Sequence, residues 1–315
     1  MAVLGEKPSI SVVMPARNEG QRIVHAISSI VAGRSKRFPL QIVVVDDQST
    51  DGSSAGLAHR FSSPGDLVRV DVVRLPQWSG IPYARNVGSE AATGDILFIT
   101  DANIHFPPAW DIPVHNQIGP SRALCATVAD GSSAFRGYGG RLYLPSMRFA
   151  WLNHPRAFGG FVPLAPCAGT VLTKELFRRA GGYDTAMPIY GAAEPEFSVR
   201  LWLSGAEIVS VPDLVLEHRF RPPAERLPFL EAINFVQVCN YLRFAMLYLD
   251  QPLLRRVFRH YRAANPRIFE QAVRRVWRGD VWNRREILQR NLPGRFQSFA
   301  ARFGLGDTVS LPAAH

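Results

Sequence analysis

An α/β fold on a mainly parallel, Rossmann-like sheet is predicted by three features of this chain. Its first hundred residues alternate short β-branched runs with helical stretches. The runs at 41–45 and 95–100 are almost wholly apolar, as strands covered by helices on both faces are. Acids and amides follow three of the runs directly, at the sheet edge where open parallel sheets bind ligands.

The elements follow in order. Residues 9–14 read as a strand and 19–31 as an amphipathic helix, with apolar residues recurring every three or four positions. A second strand at 41–45, a helix at 53–61 and a strand at 68–75 come next. A helix at 83–92 then leads into a third buried strand at 95–100. This βαβαβ order argues parallel pairing with right-handed crossovers. Residues 107–166 are rich in glycine, proline and aromatics and weakly periodic, which predicts mixed strands and loops that shape an acceptor site. Order returns with a strand at 168–173, helices at 174–180 and 194–204, and a short strand at 207–211. After Pro222-Pro223 long helical patterns take over, clearest at 227–249 and 269–289. No internal repeat or low-complexity stretch is present.

Composition narrows the function classes. A unit of 315 residues hides roughly three-quarters of its unfolded surface, so it needs no disulfide framework. Cys125, Cys167 and Cys239 are odd in number and lack zinc-type spacing, which predicts reduced thiols. Residues 1–8 carry charge, and the apolar run after them stops at Pro15, too short for a secretory leader. No run reaches the roughly 18 apolar residues of a membrane span. The expectation is a cytoplasmic protein. Its net charge is +10, and from Arg221 onward every Lys or Arg is arginine. Such a surface suits anionic lipid, nucleic acid or an acidic substrate, or is a solvated helix face. Nucleic acid is not expected as a partner. The C-terminal helices are expected to cover the acceptor site, to form a homodimer or to touch a membrane peripherally, the last because 235–249 is strongly apolar.

The sheet edge carries the chemistry. Strand one ends in Pro15-Ala16-Arg17-Asn18-Glu19, strand two in Asp46-Asp47-Gln48-Ser49-Thr50-Asp51-Gly52, strand three in Asp101-Ala102-Asn103. Asp47 to Asp51 also has the composition of an Asx turn and helix cap, with Ser49 or Asp51 as the capping residue. There is no GxGxxG after strand one, against a dinucleotide-binding dehydrogenase, and no lysine-bearing glycine loop, against a nucleotidyltransferase.

With Ala84-Arg85-Asn86-Val87-Gly88, these motifs make the chain resemble the family 2 glycosyltransferases and their GT-A relatives, up to about Arg221. The resemblance implies a GT-A catalytic domain at 1–221, with a nucleotide half to about 105 and an acceptor half beyond it. A helical, arginine-rich region would occupy 222–315. It also implies transfer of a sugar from a nucleoside diphosphate-sugar, UDP-linked, to a hydroxyl acceptor. Pro15, Ala16, Arg17 and Glu19 would line the donor site, and Asp46 or Asp47 would hold the nucleoside. Arg85 and Asn86 would stand near the diphosphate, the arginine as a fork-shaped donor at a helix start. Gly169 and Asp184 match loops on the sugar and acceptor side.

Asp101-Ala102-Asn103 replaces the family's usual Asp-x-Asp, with Ala102 at the donor. Asp101 and Asn103 are candidate ligands of Mn2+ or Mg2+, hard ions that take oxygen donors. Asn103 brings no charge, so a further ligand is expected. Tyr190-Gly191-Ala192-Ala193-Glu194-Pro195-Glu196 with Glu217-His218-Arg219-Phe220-Arg221 looks like the corresponding part of the polypeptide N-acetylgalactosaminyltransferases. That likeness makes His218 a metal ligand; His105 is open to a structural or a functional role. In family 2 the same segment supplies the general base, which makes Glu194 the candidate and Glu196 the second acid. The reaction would then invert the anomeric centre. A retaining mechanism is the alternative if Glu194 is no base. Asn103 and Ala193 also fit a catalytically silent sugar-nucleotide or glycan-binding module.

Overall fold

The computed structural model describes residues 8–305. The reading of residues 1–7 as part of a non-secretory start, and the last stretch of the helical region at 306–315, lie outside the described residues.

The first half builds a doubly wound sheet. It comprises β1 (Ile10–Ala16), α1 (Gln21–Gly33), β2 (Leu40–Asp46), α2 (Leu57–Phe61), β3 (Val68–Arg74), α3 (Ile81–Ala91) and β4 (Ile96–Ile99). Strand β1 pairs in parallel with β2 on one side and β4 on the other. Helix α1 buries Ile23, Ala26, Ile27 and Ile30, one face at helical spacing, against that sheet. The helix expected over 53–61 forms only from Leu57. Side chains explain the loss: Asp46 accepts from the Ser54 hydroxyl, Asp51 from the Ser53 amide, and Gly52 and Gly56 take left-handed φ of 71° and 70°. Short polar side chains bonding nearby groups compete with helical turns.

Next come β5 (Ile104–His105), α4 (Asp111–Gln117), β6 (Arg122–Asp130), β7 (Arg136–Gly137), β8 (Gly140–Tyr143), β9 (Arg148–Trp151), β10 (Thr170–Thr173), α5 (Lys174–Ala180), α6 (Ala193–Leu203) and β11 (Glu207–His218). The sheet order is β3-β2-β1-β4-β10-β6-β11-β5, with β7 on β6. Strands β3, β2, β1, β4, β6 and β11 run one way, while β10, β5 and β7 run against them. Strand β6 lies inside the stretch whose periodicity was weak. It is buried from Ala123 to Ala129, and its small residues give little hydrophobic signal. Strand β11 outruns the predicted 207–211. Its register slips between Val211 and Val215 around Pro212, which has no amide to donate, and pairing then resumes to His218.

The helices after Pro222 are α7 (Pro223–Ala232), α8 (Asn234–Tyr248), α9 (Gln251–Ala264), α10 (Phe269–Arg278), α11 (Val281–Asn291) and α12 (Phe296–Arg302). The long patterns at 227–249 and 269–289 are each broken, at Ile233 and at Gly279–Asp280. Helix α8 is buried continuously from Val238 to Tyr248. It joins one hydrophobic core with β4, β10 and α6. The apolar stretch read as a membrane face therefore faces the protein itself. Among the described residues no helix is long and apolar enough to cross a membrane.

Candidate active site

Because β4 and β11 run the same way, Asp101 and His218 reach the same edge of the sheet. Strand β10 runs against them, so Cys167, just before it, starts at that edge too. Helix α6 begins there and brings Glu194 in its first turn. Helix α3 supplies the centre. A Cβ on Gly88 would stand 2.5 Å from Val13 Cγ1 and 2.9 Å from Val45 Cγ2, so the helix lies close on β1 and β2. Arg85, one turn earlier on that face, is driven under the edge and has 0% exposure.

Arg85 links two acids. One nitrogen donates to Glu194 Oε1 at 2.8 Å and another to Asp101 Oδ1 at 3.0 Å. Its guanidinium also lies 5.4 Å from the Tyr183 ring centre. The other Asp101 oxygen accepts from Cys167 Sγ at 3.4 Å and stands 3.7 Å from His218 Nε2. Burial works against the Asp101 charge. His218 and the Arg85 guanidinium outweigh it and hold the carboxyl at about 2. Burial likewise pushes the Tyr183 hydroxyl and Cys167 thiol far up, so both stay protonated.

A divalent ion fits Asp101 and His218. Their 3.7 Å separation is too long for a hydrogen bond. It suits two donors each about 2.1 Å from one ion, which lie roughly 3–4 Å apart. The His218 ring packs on Phe220, with ring centres 4.0 Å apart, while its Nδ1 is buried without a partner among the described residues. Asn103 is tied by its side-chain nitrogen to the Arg219 carbonyl at 3.0 Å, while its backbone carbonyl accepts from the Arg219 amide at 3.1 Å. It thus pins the strand end that carries His218. Among the described residues no three His, Cys, Asp or Glu are placed so that together they could hold one ion. His105 lies on β5, exposed and paired with Glu217.

Several expected contacts turn out to hold the scaffold. Glu196 is fully buried, paired to Arg200 at 2.8 and 2.6 Å and bonded by the Tyr248 hydroxyl. Two residues on from Glu194 and so on the opposite side of α6, it faces the core. Asp46 accepts from the Ser49 amide, Ser54 and Arg74 and is 1% exposed. Asp47 spends both oxygens on the Ser79 and Gly80 amides, at 2.7 and 2.8 Å, fixing the start of α3. Both are largely closed off from solvent, at 1% and 4% exposure. Ser49 and Asp51 do not cap α2; they accept from the Asn18 and Gly20 amides instead. The two acids take one donor each from Arg85, whose Nε is buried without a partner among the described residues. Asn86 makes two bonds with the Tyr183 backbone.

Gly169 is packed inside the sheet, where a Cβ would meet Ala126 and Leu216 at 2.8 and 2.9 Å, and its φ is +122°. Asp184 pairs with Arg243 of α8 at 2.8 Å. Neither has the access a sugar contact needs. Pro15 and Ala16 end β1 opposite Val45 and Asp46, and Ala102 is buried beside Asp101. Glu19 pairs with Arg221 at 2.6 Å and Arg22 at 3.1 Å, joining the β1 end to the segment after β11. Arg17 lies 4.4 Å from the ring centre of Trp78. Cys167, Tyr183 and Trp78 were missed as site residues. For Cys167 the signal was its place two residues before Gly169; the others show only through the partners that pack on them.

The sequence and the fold have counterparts among known proteins. The family model "Glycosyl transferase family 2" matches residues 11–180, more than half the chain. "Polypeptide N-acetylgalactosaminyltransferase 8" of Drosophila melanogaster is 26% identical over 262 residues, covering 78% of this chain and 44% of the relative. "Probable polypeptide N-acetylgalactosaminyltransferase 8" of Homo sapiens is 25% identical over 265 residues, covering 78% and 41%. The chain thus spans less than half the length of these curated relatives. Among solved structures, GalNAc-T7 with UDP, GalNAc and Mn2+ aligns with TM-score 0.74 and 19% identity, over 95% of this chain and 57% of that one. A mannosyltransferase from Pyrobaculum calidifontis in complex with GDP-Man and Mn2+ aligns with TM-score 0.56 and 18% identity, over 96% and 84%. With its sheet, its edge and its motifs in that order, the chain belongs to glycosyl transferase family 2.

Proposed function

We propose that this protein transfers a sugar from a nucleoside diphosphate-sugar, UDP-linked, to a hydroxyl acceptor, with Mn2+ or Mg2+ held by Asp101 and His218. The carrying observation is Asp101 placed between His218 at 3.7 Å and Arg85 at 3.0 Å, with Glu194 on the same guanidinium. The Mn2+ and nucleotide-sugars of the two solved structures support the choice of ligands. When bound, the ion neutralises charge on the departing diphosphate. Two protein donors are what such an ion takes when phosphate and water supply the rest.

Glu194 is the general base. Among the described residues its one polar contact is Oε1 to Arg85, which leaves Oε2 to take the acceptor's proton as the hydroxyl attacks the anomeric carbon. Arg85 fixes the carboxylate in place. Attack from that side inverts the anomeric centre. A second reading, retention, has its own support: the curated relatives are N-acetylgalactosaminyltransferases, and a Glu194 clamped by buried Arg85 also suits a positioning role.

The test is a panel of nucleotide-sugars screened by thermal shift, since a bound ligand raises the melting temperature. Transfer by the best donor is then followed by NMR, which reads the anomeric configuration. Glu194→Gln is expected to cut turnover by roughly 10²–10⁴-fold with donor affinity kept. His218→Ala is expected to raise the Mn2+ needed for half-maximal rate by roughly tenfold or more. Near-normal turnover in Glu194→Gln sinks the base; a retained anomer selects the second reading.

A further inference from the structure

The positive charge of this protein is gathered in one region away from the sheet edge. Residues 251–295 hold twelve arginines and no lysine, against three acids, Glu270, Asp280 and Glu286. That excess of nine is nearly the whole chain's +10. Two of the three acids are engaged, Glu270 by Arg262 at 3.1 Å and Asp280 by Arg243 of α8 at 2.7 Å. Among the described residues, Arg262 is the one arginine of this segment in an ion pair.

Their arrangement follows from how the helices pack. Helix α9 turns Val257 and Tyr261 inward, and α10 turns Phe269, Ala272 and Val276 inward, both onto α8. The opposite faces are left to Arg255, Arg259 and Arg262 on α9, spaced four and three residues apart. On α10 they are left to Arg274, Trp277 and Arg278. Trp277 is 54% exposed within this arginine field, its ring 4.7 Å from Trp282 in a T-shaped contact. Apart from that edge contact the indole is open to water, which costs free energy.

We propose that the outer face of α9 and α10 docks on the surface of an anionic phospholipid bilayer. The arginines would meet lipid phosphates and Trp277 would insert at headgroup depth. Guanidinium forks match phosphate oxygens, and tryptophan with arginine is the composition of interfacial helices. Nucleic acid is the other polyanion that arginines with an exposed aromatic could meet, and the binding test below separates the two. No helix among the described residues spans a membrane, so the association is peripheral and salt-sensitive. The apolar helix α8 takes no part, since the protein core covers it.

Flotation with vesicles decides it. The full chain is mixed at about 0.1 M salt, where screening reaches ~10 Å, with phosphatidylcholine vesicles or with vesicles of equal phosphatidylcholine and phosphatidylglycerol. It is expected to float only with the second, and to be released at 0.5 M salt. Each basic residue at such a surface contributes roughly a fivefold factor. The quadruple variant of Arg255, Arg259, Arg274 and Arg278 to Gln is thus expected to lose at least a hundredfold in partitioning, with its melting temperature kept. Brominated lipids are expected to quench tryptophan fluorescence in the parent but not in Trp277→Phe. Equal flotation with neutral vesicles, undiminished binding by the quadruple variant, or tight binding to duplex DNA with none to the anionic vesicles would each overturn the proposal.

Discussion

Glu194 and Glu196 stand two residues apart on α6, yet their surroundings give them opposite roles. Glu194 keeps 13% side-chain exposure and one oxygen free at the sheet edge, whereas Glu196 has none and is closed by Arg200 and Tyr248. A buried pair contributes little over an apolar replacement, but losing one member leaves a charge uncompensated. Glu196→Gln is therefore expected to lower unfolding free energy by about 3–5 kcal/mol in urea titrations. Its kcat, measured on the folded fraction, should stay within about twofold of the parent, far from the loss expected of a general base. A collapse of kcat with stability intact would return Glu196 to the reaction. Arg85 shows the same logic in one side chain: a cation without solvent persists because two carboxylates face it.

Helix α3 sets the site's geometry through its approach to the sheet. Gly88 lets it come within contact of Val13 and Val45, and Gly80 lets its first turn meet Ile189, where a Cβ would stand 2.3 Å from that residue's Cα. Asp47 then holds the amides of Ser79 and Gly80. Gly88→Ala raises intrinsic helix propensity by about 1 kcal/mol, but its methyl overlaps both valines. Overpacking of this kind costs about 1–3 kcal/mol, so a net fall in melting temperature is expected. A fall in kcat should accompany it as Arg85 is lifted from Asp101 and Glu194. A more stable and fully active Gly88→Ala would show that the helix has room to spare. Strand β11 makes a parallel case, since the slip at Pro212 lets it run on and deliver His218.

At the scale of the molecule, the helical region after Pro222 completes the core. Helix α8 buries eleven consecutive residues among α6, α9, α10 and α11, and its Arg243 holds Asp184 and Asp280 from within. Tyr248 from the same helix closes Glu196. A fragment ending at Arg221 would expose that apolar surface and leave Asp184 and Glu196 without their partners. We expect it to show no cooperative unfolding transition in calorimetry and to elute as aggregates in size exclusion. A monomeric fragment with a sharp transition would mean that 1–221 folds alone. The expectation rests on contact area: apolar surface returned to water costs about 25 cal/mol per Å².

The βαβαβ order, the sheet edge and the acids and amides on it were legible in the residues alone, because β-branched runs and helical spacing are local patterns. Asp101 and His218 were readable from the motifs they stand in. Strand β6 was not, since its small residues carry little periodic signal and its burial comes from β10 and β11, far away in sequence. The roles of Asp46, Asp47, Asp184 and Glu196 were not readable either. A carboxylate beside a strand looks the same in sequence whether its oxygens face a ligand or a distant amide. Sequence by itself determined which residue types arrive at the edge and in what order. Only the tertiary structure decided which remain free to act, because hydrogen-bond partners such as Ser79, Tyr248 and Arg243 come from elements that only folding brings near.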